Sequence, residues 1–344
     1  MKLAAILAVG TMALAACGGG KSVSGGDDDD KKSVKVGLAY DIGGRGDKSF
    51  NDAAAAGLER VESELDLEVK ELSAKANEAA SDKEERLRLL ADGGYDPVIA
   101  VGFAYAEPLT KVAKEFPDVK FGIIDGVVEN ADNVSNLVFA EHEGSFLVGA
   151  AAALKTKTGT VGYIGGCLVP LLQKFEAGFV AGAKAVKPDI KTQIKYLSTT
   201  AQNCAGFNDP AAGKTTATGM YDGGVDVIYA AAGGSGSGVF QAAKAKNAKA
   251  IGVDSDQYQS ADPAVRDVIM TSMLKRVDVA VFDFVKGVGE DKFTAGTKVF
   301  NLKIDGVGYS TSGGQVDDIK SKLDDYKQQI IDGKITVPDK PAGA

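Results

Sequence analysis

From residue 34 onward the chain alternates short apolar runs with longer amphipathic ones, and this rhythm restricts the fold more than any other feature. Runs at 34–39, 67–72, 98–102 and 120–124 have strand length, and 48–65, 81–91 and 107–115 have helical spacing. In the first of these helices Ala53, Ala54, Leu58 and Val61 share one face. The pattern then restarts. Helices are expected at 145–154, 171–185, 210–221 and 238–246, and strands at 160–164, 190–196, 225–230 and 250–253. Strands separated by helices of about ten to fifteen residues build parallel sheets from β-α-β units. A chain of 344 residues is longer than a single core usually supports. The two arrays therefore imply an α/β protein with two doubly wound parallel-sheet lobes facing each other across a cleft.

The first 32 residues do not share this pattern. Lys2 precedes an apolar stretch from Leu3 to Leu14 that is too short to span a bilayer. Leu14-Ala15-Ala16-Cys17 then resembles the bacterial lipobox. Residues 1–16 are accordingly expected to be a lipoprotein signal peptide and Cys17 the acylated mature N-terminus, since two or more acyl chains anchor stably where one does not. Residues 17–32, rich in Gly, Ser and Asp, cannot bury a core and are expected to form a disordered tether. The mature chain would sit on the extracytoplasmic face of the cell membrane. Export also means an oxidising compartment, where the two remaining cysteines, Cys167 and Cys204, are expected to form a disulfide.

Composition excludes several functions. A net charge of −8 gives nucleic acid no basic surface to meet. One histidine and three cysteines leave little for a zinc site, and only His142 could serve a Ser-His-Asp triad. The Gly43–Asn51 loop lacks Walker spacing, and Glu141-His142-Glu143 reads as a helix start. No metal, cofactor or catalytic step is implied, so the chain reads as a binding protein and not an enzyme. Polar groups do collect where strands end. Asp41 follows VGLAY, Asp125 follows FGII, Asp254 follows IGV, and Gly233-Gly234-Ser235-Gly236 follows a strand at 225–230. Ligands of doubly wound sheets bind at such ends.

The segments VGLAYDIGGRGDKSFND, FPDVKFGIID, EGSFLVGAAAALKTKTGTVGYIGG, GFNDPAAGK, YAAAGGSGSGVFQAA, IGVDSDQ and TSMLKRVD occur in order across nearly all of the chain after its tether. In this the sequence resembles the basic membrane protein family of transporter-associated lipoproteins, which includes purine nucleoside receptors. The resemblance implies the type I periplasmic-binding-protein fold with three hinge crossings, nearest to residues 138–143, 271–275 and 294–299. The N-terminal lobe would then comprise 33–139 plus 276–296, and the C-terminal lobe 140–275 plus 297–344.

The resemblance also implies a pocket. Phe50 and Phe207 match the aromatic pair that sandwiches the nucleobase. Asn51 and Asp125 match polar groups on the base, Asp254 and Lys275 a pair on the ribose hydroxyls, and Asp41 a further pocket carboxylate. Gly233, Gly234 and Gly236 match a loop whose backbone closes on the ligand. These residue types suit a purine nucleoside: flat π faces stack on phenyl rings, and carboxylates accept from hydroxyl and N–H donors. A ligand of the adenosine, guanosine or inosine class would be handed by a monomeric receptor to an ABC permease and its ATPase. Cys167 and Cys204 depart from the family pattern, and a bridge there would stiffen or reshape one pocket wall. Two other readings share the scaffold: a receptor for another small solute such as a pentose or small peptide, and a surface antigen or adhesin. Zero tryptophans and the Phe pair count against sugar stacking.

Overall fold

Each of the two arrays supplies five strands of a six-stranded sheet, the C-terminal segment adds the sixth to each, and the two sheets share one strand order. The computed structural model describes residues 34–75, 78–200 and 204–343, and the expected signal peptide, Cys17 and tether lie outside them. The first array runs β1 (Lys35–Ala39), α1 (Phe50–Leu65), β2 (Glu68–Leu72), α2 (Ala80–Asp92), β3 (Val98–Val101), α3 (Ala106–Glu115), β4 (Phe121–Ile124) and β5 (Val134–Phe139). Strands β3 and β4 are buried throughout, as parallel strands covered on both faces are. Helix α1 turns Ala53, Ala54, Leu58 and Val61 inward and ends where Asp66 adopts a left-handed conformation.

The second array runs α4 (Glu141–Lys155), β6 (Thr160–Cys167), α5 (Pro170–Val186), β7 (Lys191–Ser198), α6 (Pro210–Asp222), β8 (Val227–Ala231), α7 (Gly236–Lys246), β9 (Lys249–Asp254), α8 (Gln257–Ser260) and β10 (Ile269–Lys275). The chain then returns to the first lobe as α9 (Val277–Gly289), which packs on α1, and β11 (Gly296–Phe300), which pairs with β5. It ends in the second lobe with β12 (Val307–Tyr309) and α10 (Lys320–Ile331). The sheet orders are β11-β5-β4-β3-β1-β2 and β12-β10-β9-β8-β6-β7. All pairings are parallel except β10 with β12. Among the described residues no helix is long and apolar enough to cross a membrane.

The sheets place the crossings between β5 and α4, between β10 and α9, and between β11 and β12. The last falls later than expected. Residues 297–300 pair with β5 in the first sheet, so the chain leaves that lobe after Phe300, not at residue 297. Strand β11 is an edge strand with its first four residues exposed, so no apolar run marks it in the sequence.

Cys167, the last residue of β6, is bonded to Cys204 with their Cα atoms 5.2 Å apart. The bond ties a strand end to the turn Ala205–Phe207. Denatured but unreduced protein is therefore expected to yield no alkylatable thiol at either position. Closing a loop with a separation of 37 residues corresponds to about 4 kcal/mol in the loop-entropy picture. Recovery of both cysteines in alkylated form would rule the bond out.

Candidate functional site

Strand order reverses beside β1 in the first sheet and beside β6 in the second, which opens a crevice at the carboxyl ends of each. The two crevices face each other across one cleft that both lobes line. Eight residues expected at the site line this cleft: Asp41, Phe50, Asn51, Asp125, Phe207, Gly233, Asp254 and Lys275. Gly234 and Gly236 do not. The chain turns away after Gly233, and Gly236 opens α7, where an added Cβ would meet Phe240 and Ala230. The reading from sequence missed Asp47 and an apolar wall that includes Phe103, Leu171, Leu172 and Phe175. No spacing signal in the sequence distinguishes those residues from core.

Local backbone geometry aims the polar groups. Asp125 and Asp254 directly follow or end parallel strands and have positive φ, 62° and 63°, a conformation Asp tolerates better than most residues. Their side chains turn into the cleft. Asp41 has room because residue 102 is glycine: a Cβ there would lie 2.1 Å from its Oδ2. Phe207 rests in the same way on Gly166, where a Cβ would come within 2.4 Å of the ring.

Phe50 comes from the first lobe and Phe207 from the second. The start of α1 also carries contacts between the lobes. The carbonyls of Lys48 and Ser49 accept from Gln257 Nε2 and Ser255 Oγ, each at 2.9 Å, and Ser49 Oγ donates to Asp254 Oδ2 at 2.7 Å. Asp47 holds this loop through the backbone N–H groups of Ser49, Asn51 and Asp52.

Asn51 proves less available than its residue type suggests. Its Nδ2 donates to Ile42 O and Asp47 Oδ2, and its Oδ1 accepts from Asp41 N. Both amide hydrogens are thus used to hold the loop, and only an acceptor lone pair is left for a ligand.

Lys275 Nζ donates to Asp125 Oδ2 at 2.5 Å and lies 3.1 Å from Glu141 Oε1. Its direct partners are therefore Asp125 and Glu141, while Asp254 bonds Ser49. Asp125 Oδ1 is buried without a hydrogen-bond partner, an acceptor available to a ligand donor. Burial pushes the carboxyls of Asp41 and Asp125 up to about 6 and that of Asp254 up to about 7, the last two against the pull of Lys275. Burial alone would lower Lys275, but the carboxylates of Asp125, Glu141 and Asp254 outweigh it and hold the pKa above its ordinary value. Among the described residues the cleft is thus an acceptor-rich chamber with four phenyl rings, those of Phe50, Phe103, Phe175 and Phe207, and one ammonium, already paired.

The model of the family described as "ABC transporter substrate-binding protein PnrA-like" (Bmp) matches residues 34–341. The chain belongs to this family. An ABC transporter nucleoside-binding protein, BmpA, from Lactococcus lactis is 36% identical, with 98% of this chain and 99% of the relative covered. A CD4+ T-cell-stimulating antigen from Listeria innocua is also 36% identical, over 99% of this chain and 98% of the relative. Among solved structures, an ABC transporter solute-binding protein from Aeropyrum pernix K1 matches with a TM-score of 0.77 at 31% identity, covering 90% of this chain and 94% of its own. This Bmp-family chain therefore has the two-lobed periplasmic-binding-protein fold and is an ABC transporter solute-binding protein. The family is described by binding, not by catalysis.

Proposed function

We propose that the protein captures a purine nucleoside in the interlobe cleft and delivers it, as a lipid-anchored extracytoplasmic monomer, to a permease driven by an ATPase. The observation that carries this reading is one cleft lined by aromatic rings from each lobe and by buried carboxylates, among which Asp125 Oδ1 has no hydrogen-bond partner. The nucleobase stacks between Phe50 and Phe207, and its N–H edge meets Asp125 Oδ1. Asn51 contributes one acceptor, and Asp41 a further carboxylate. The ribose hydroxyls donate to Asp254 and accept from Lys275. The turn at Gly233 closes against the ligand. The nucleoside-binding relative in Lactococcus lactis supports the same ligand class. The name of the Listeria relative concerns immune recognition and says nothing of a cleft ligand.

A site built around hydroxyls leaves buried polar groups unpaired when they are missing. Adenosine, guanosine or inosine should therefore bind at least about tenfold more tightly than adenine, guanine or hypoxanthine. The 5′-monophosphates should also bind at least about tenfold more weakly than the nucleosides, because Lys275, the only cation that lines the cleft among the described residues, is already paired with Asp125. Isothermal calorimetry with these three ligand sets is the test. Equal affinities for nucleoside and free base would remove the ribose role of Asp254 and Lys275.

The anchor rests on Leu14-Ala15-Ala16-Cys17. Mass spectrometry of the mature protein should find a lipidated Cys17 at the N-terminus, and Cys17→Ala should release the protein from the membrane or leave it unprocessed. Any other mature N-terminus removes the anchor.

A further inference from the structure

Glu141 does not line the cleft, yet it is a fully buried carboxylate beside the ammonium that does. It opens α4, immediately after the chain first crosses between lobes, whereas Lys275 ends β10 where the chain crosses back. Glu141 Oε2 accepts from Lys174 Nζ at 2.9 Å, and the same ammonium donates to the carbonyl of Phe139, the last residue of β5, at 3.0 Å. Glu141 Oε1 lies 3.1 Å from Lys275 Nζ, an ion pair without hydrogen-bond alignment. The carboxylate thus ties the hinge backbone, through Lys174, to the lysine at the cleft floor. The rings of Phe50, Phe139 and Phe175, with centroids 5.2, 5.0 and 5.4 Å from Lys275 Nζ, surround the same ammonium.

Charge neutrality does not explain this arrangement. Asp125 alone neutralises Lys275, and a second buried carboxylate carries a desolvation cost that requires its own partner, here Lys174. What Glu141 adds is a fixed point. Asp125 belongs to the body of the first lobe, whereas Glu141 and Lys275 both sit at crossings, where hinge bending changes relative positions least.

We propose that Glu141 is a positioning residue: held by Lys174 at the first hinge crossing, it fixes the Lys275 ammonium at the cleft floor, so that ligand hydroxyls meet a cation already in place. This rests on the nucleoside reading above, in which Lys275 faces the ribose.

The test compares inosine with 2′,3′-dideoxyinosine, which lacks the two hydroxyls, by calorimetry on the intact protein. Wild type should prefer inosine by at least about tenfold, because a site made for hydroxyls rejects the analogue without them. Glu141→Gln, nearly isosteric but uncharged, should reduce that preference to about twofold or less by weakening inosine alone. Glu141→Asp, which keeps the charge but withdraws it by one methylene, should fall between. A role in packing alone would weaken both ligands equally and would favour Gln over Asp. The proposal is overturned if Glu141→Gln keeps the wild-type preference or loses affinity for both ligands alike. Should Glu141→Gln not fold, an undiminished preference in Glu141→Asp overturns it instead. Wild type that binds neither inosine nor adenosine removes the nucleoside reading itself, an outcome distinct from a variant that discriminates as well as wild type.

Discussion

Phe207→Ala is expected to weaken purine nucleoside binding by at least about tenfold while the ligand-free melting temperature changes little. The ring is only partly buried and lies on Gly166 at the cleft wall. Its removal forfeits about 1–3 kcal/mol of stacking and burial against the base. It also loosens the hold of the second lobe on a ligand that Phe50 grips from the first, and ligand contacts with both lobes are what favour the closed state. At ligand a hundredfold above its dissociation constant, wild type should gain about 2.7 kcal/mol of stability. The variant should lose most of that gain at the same ligand concentration. Calorimetry and melting curves with and without ligand separate this from a core role, which would show the opposite pattern: a large fall in ligand-free melting temperature with affinity intact.

Gly182→Ala is expected to destabilise the protein strongly. Helices α4 and α5 touch backbone to backbone. A Cβ at Gly182 would lie 1.9 Å from the carbonyl oxygen of Phe146, and one at Gly178 would lie 2.1 Å from that of His142. From the other helix, a Cβ at Gly149 would lie 2.1 Å from the carbonyl oxygen of Phe179. No rotamer change relieves such a clash, so the helices must part along their whole crossing. Overpacking usually costs about 1–3 kcal/mol, and this backbone contact belongs at about 3 kcal/mol or above. Gly219→Ala in α6 is the matched control, because a Cβ there meets nothing within 4 Å. Replacing a mid-helix glycine by alanine should stabilise by about 0.5–1 kcal/mol. Denaturant unfolding of the three proteins checks both signs. A Gly182→Ala protein as stable as wild type would mean that the two helices do not approach this closely.

Much of this fold was legible because alternation of strand and helix has a physical period. The segments 98–102 and 120–124 lie within a residue of β3 and β4, whose apolar runs are buried on both faces. Elements near the hinge were harder to read. Strand β5 has Ser135 and Asn136 buried among its apolar residues, and β11 is exposed along most of its length, so neither carries a strand-like pattern. Part of the site was visible where a polar residue ends or follows an apolar strand, as at Asp41, Asp125 and Asp254, whereas Phe50, Phe207 and Lys275 were matched only through the family resemblance. What could not be read was how these groups divide their hydrogen bonds. Residue type alone offers Asn51 to a ligand as a donor, whereas folding assigns both of its amide hydrogens to the neighbouring loop. Glu141 looked like an ordinary helix start because its partners, Lys174 and Lys275, lie 33 and 134 positions along the chain, the second being 275 − 141.

A purine nucleoside held in the interlobe cleft should accompany the protein through a fast purification. Protein purified rapidly from its native membrane, without added ligand, can be denatured and its released small molecules identified by mass spectrometry. Adenosine, guanosine, inosine or a close analogue is expected, in an amount that falls in Phe207→Ala protein prepared in parallel. Release of a pentose or a peptide in stoichiometric amount, with no nucleoside, would contradict it.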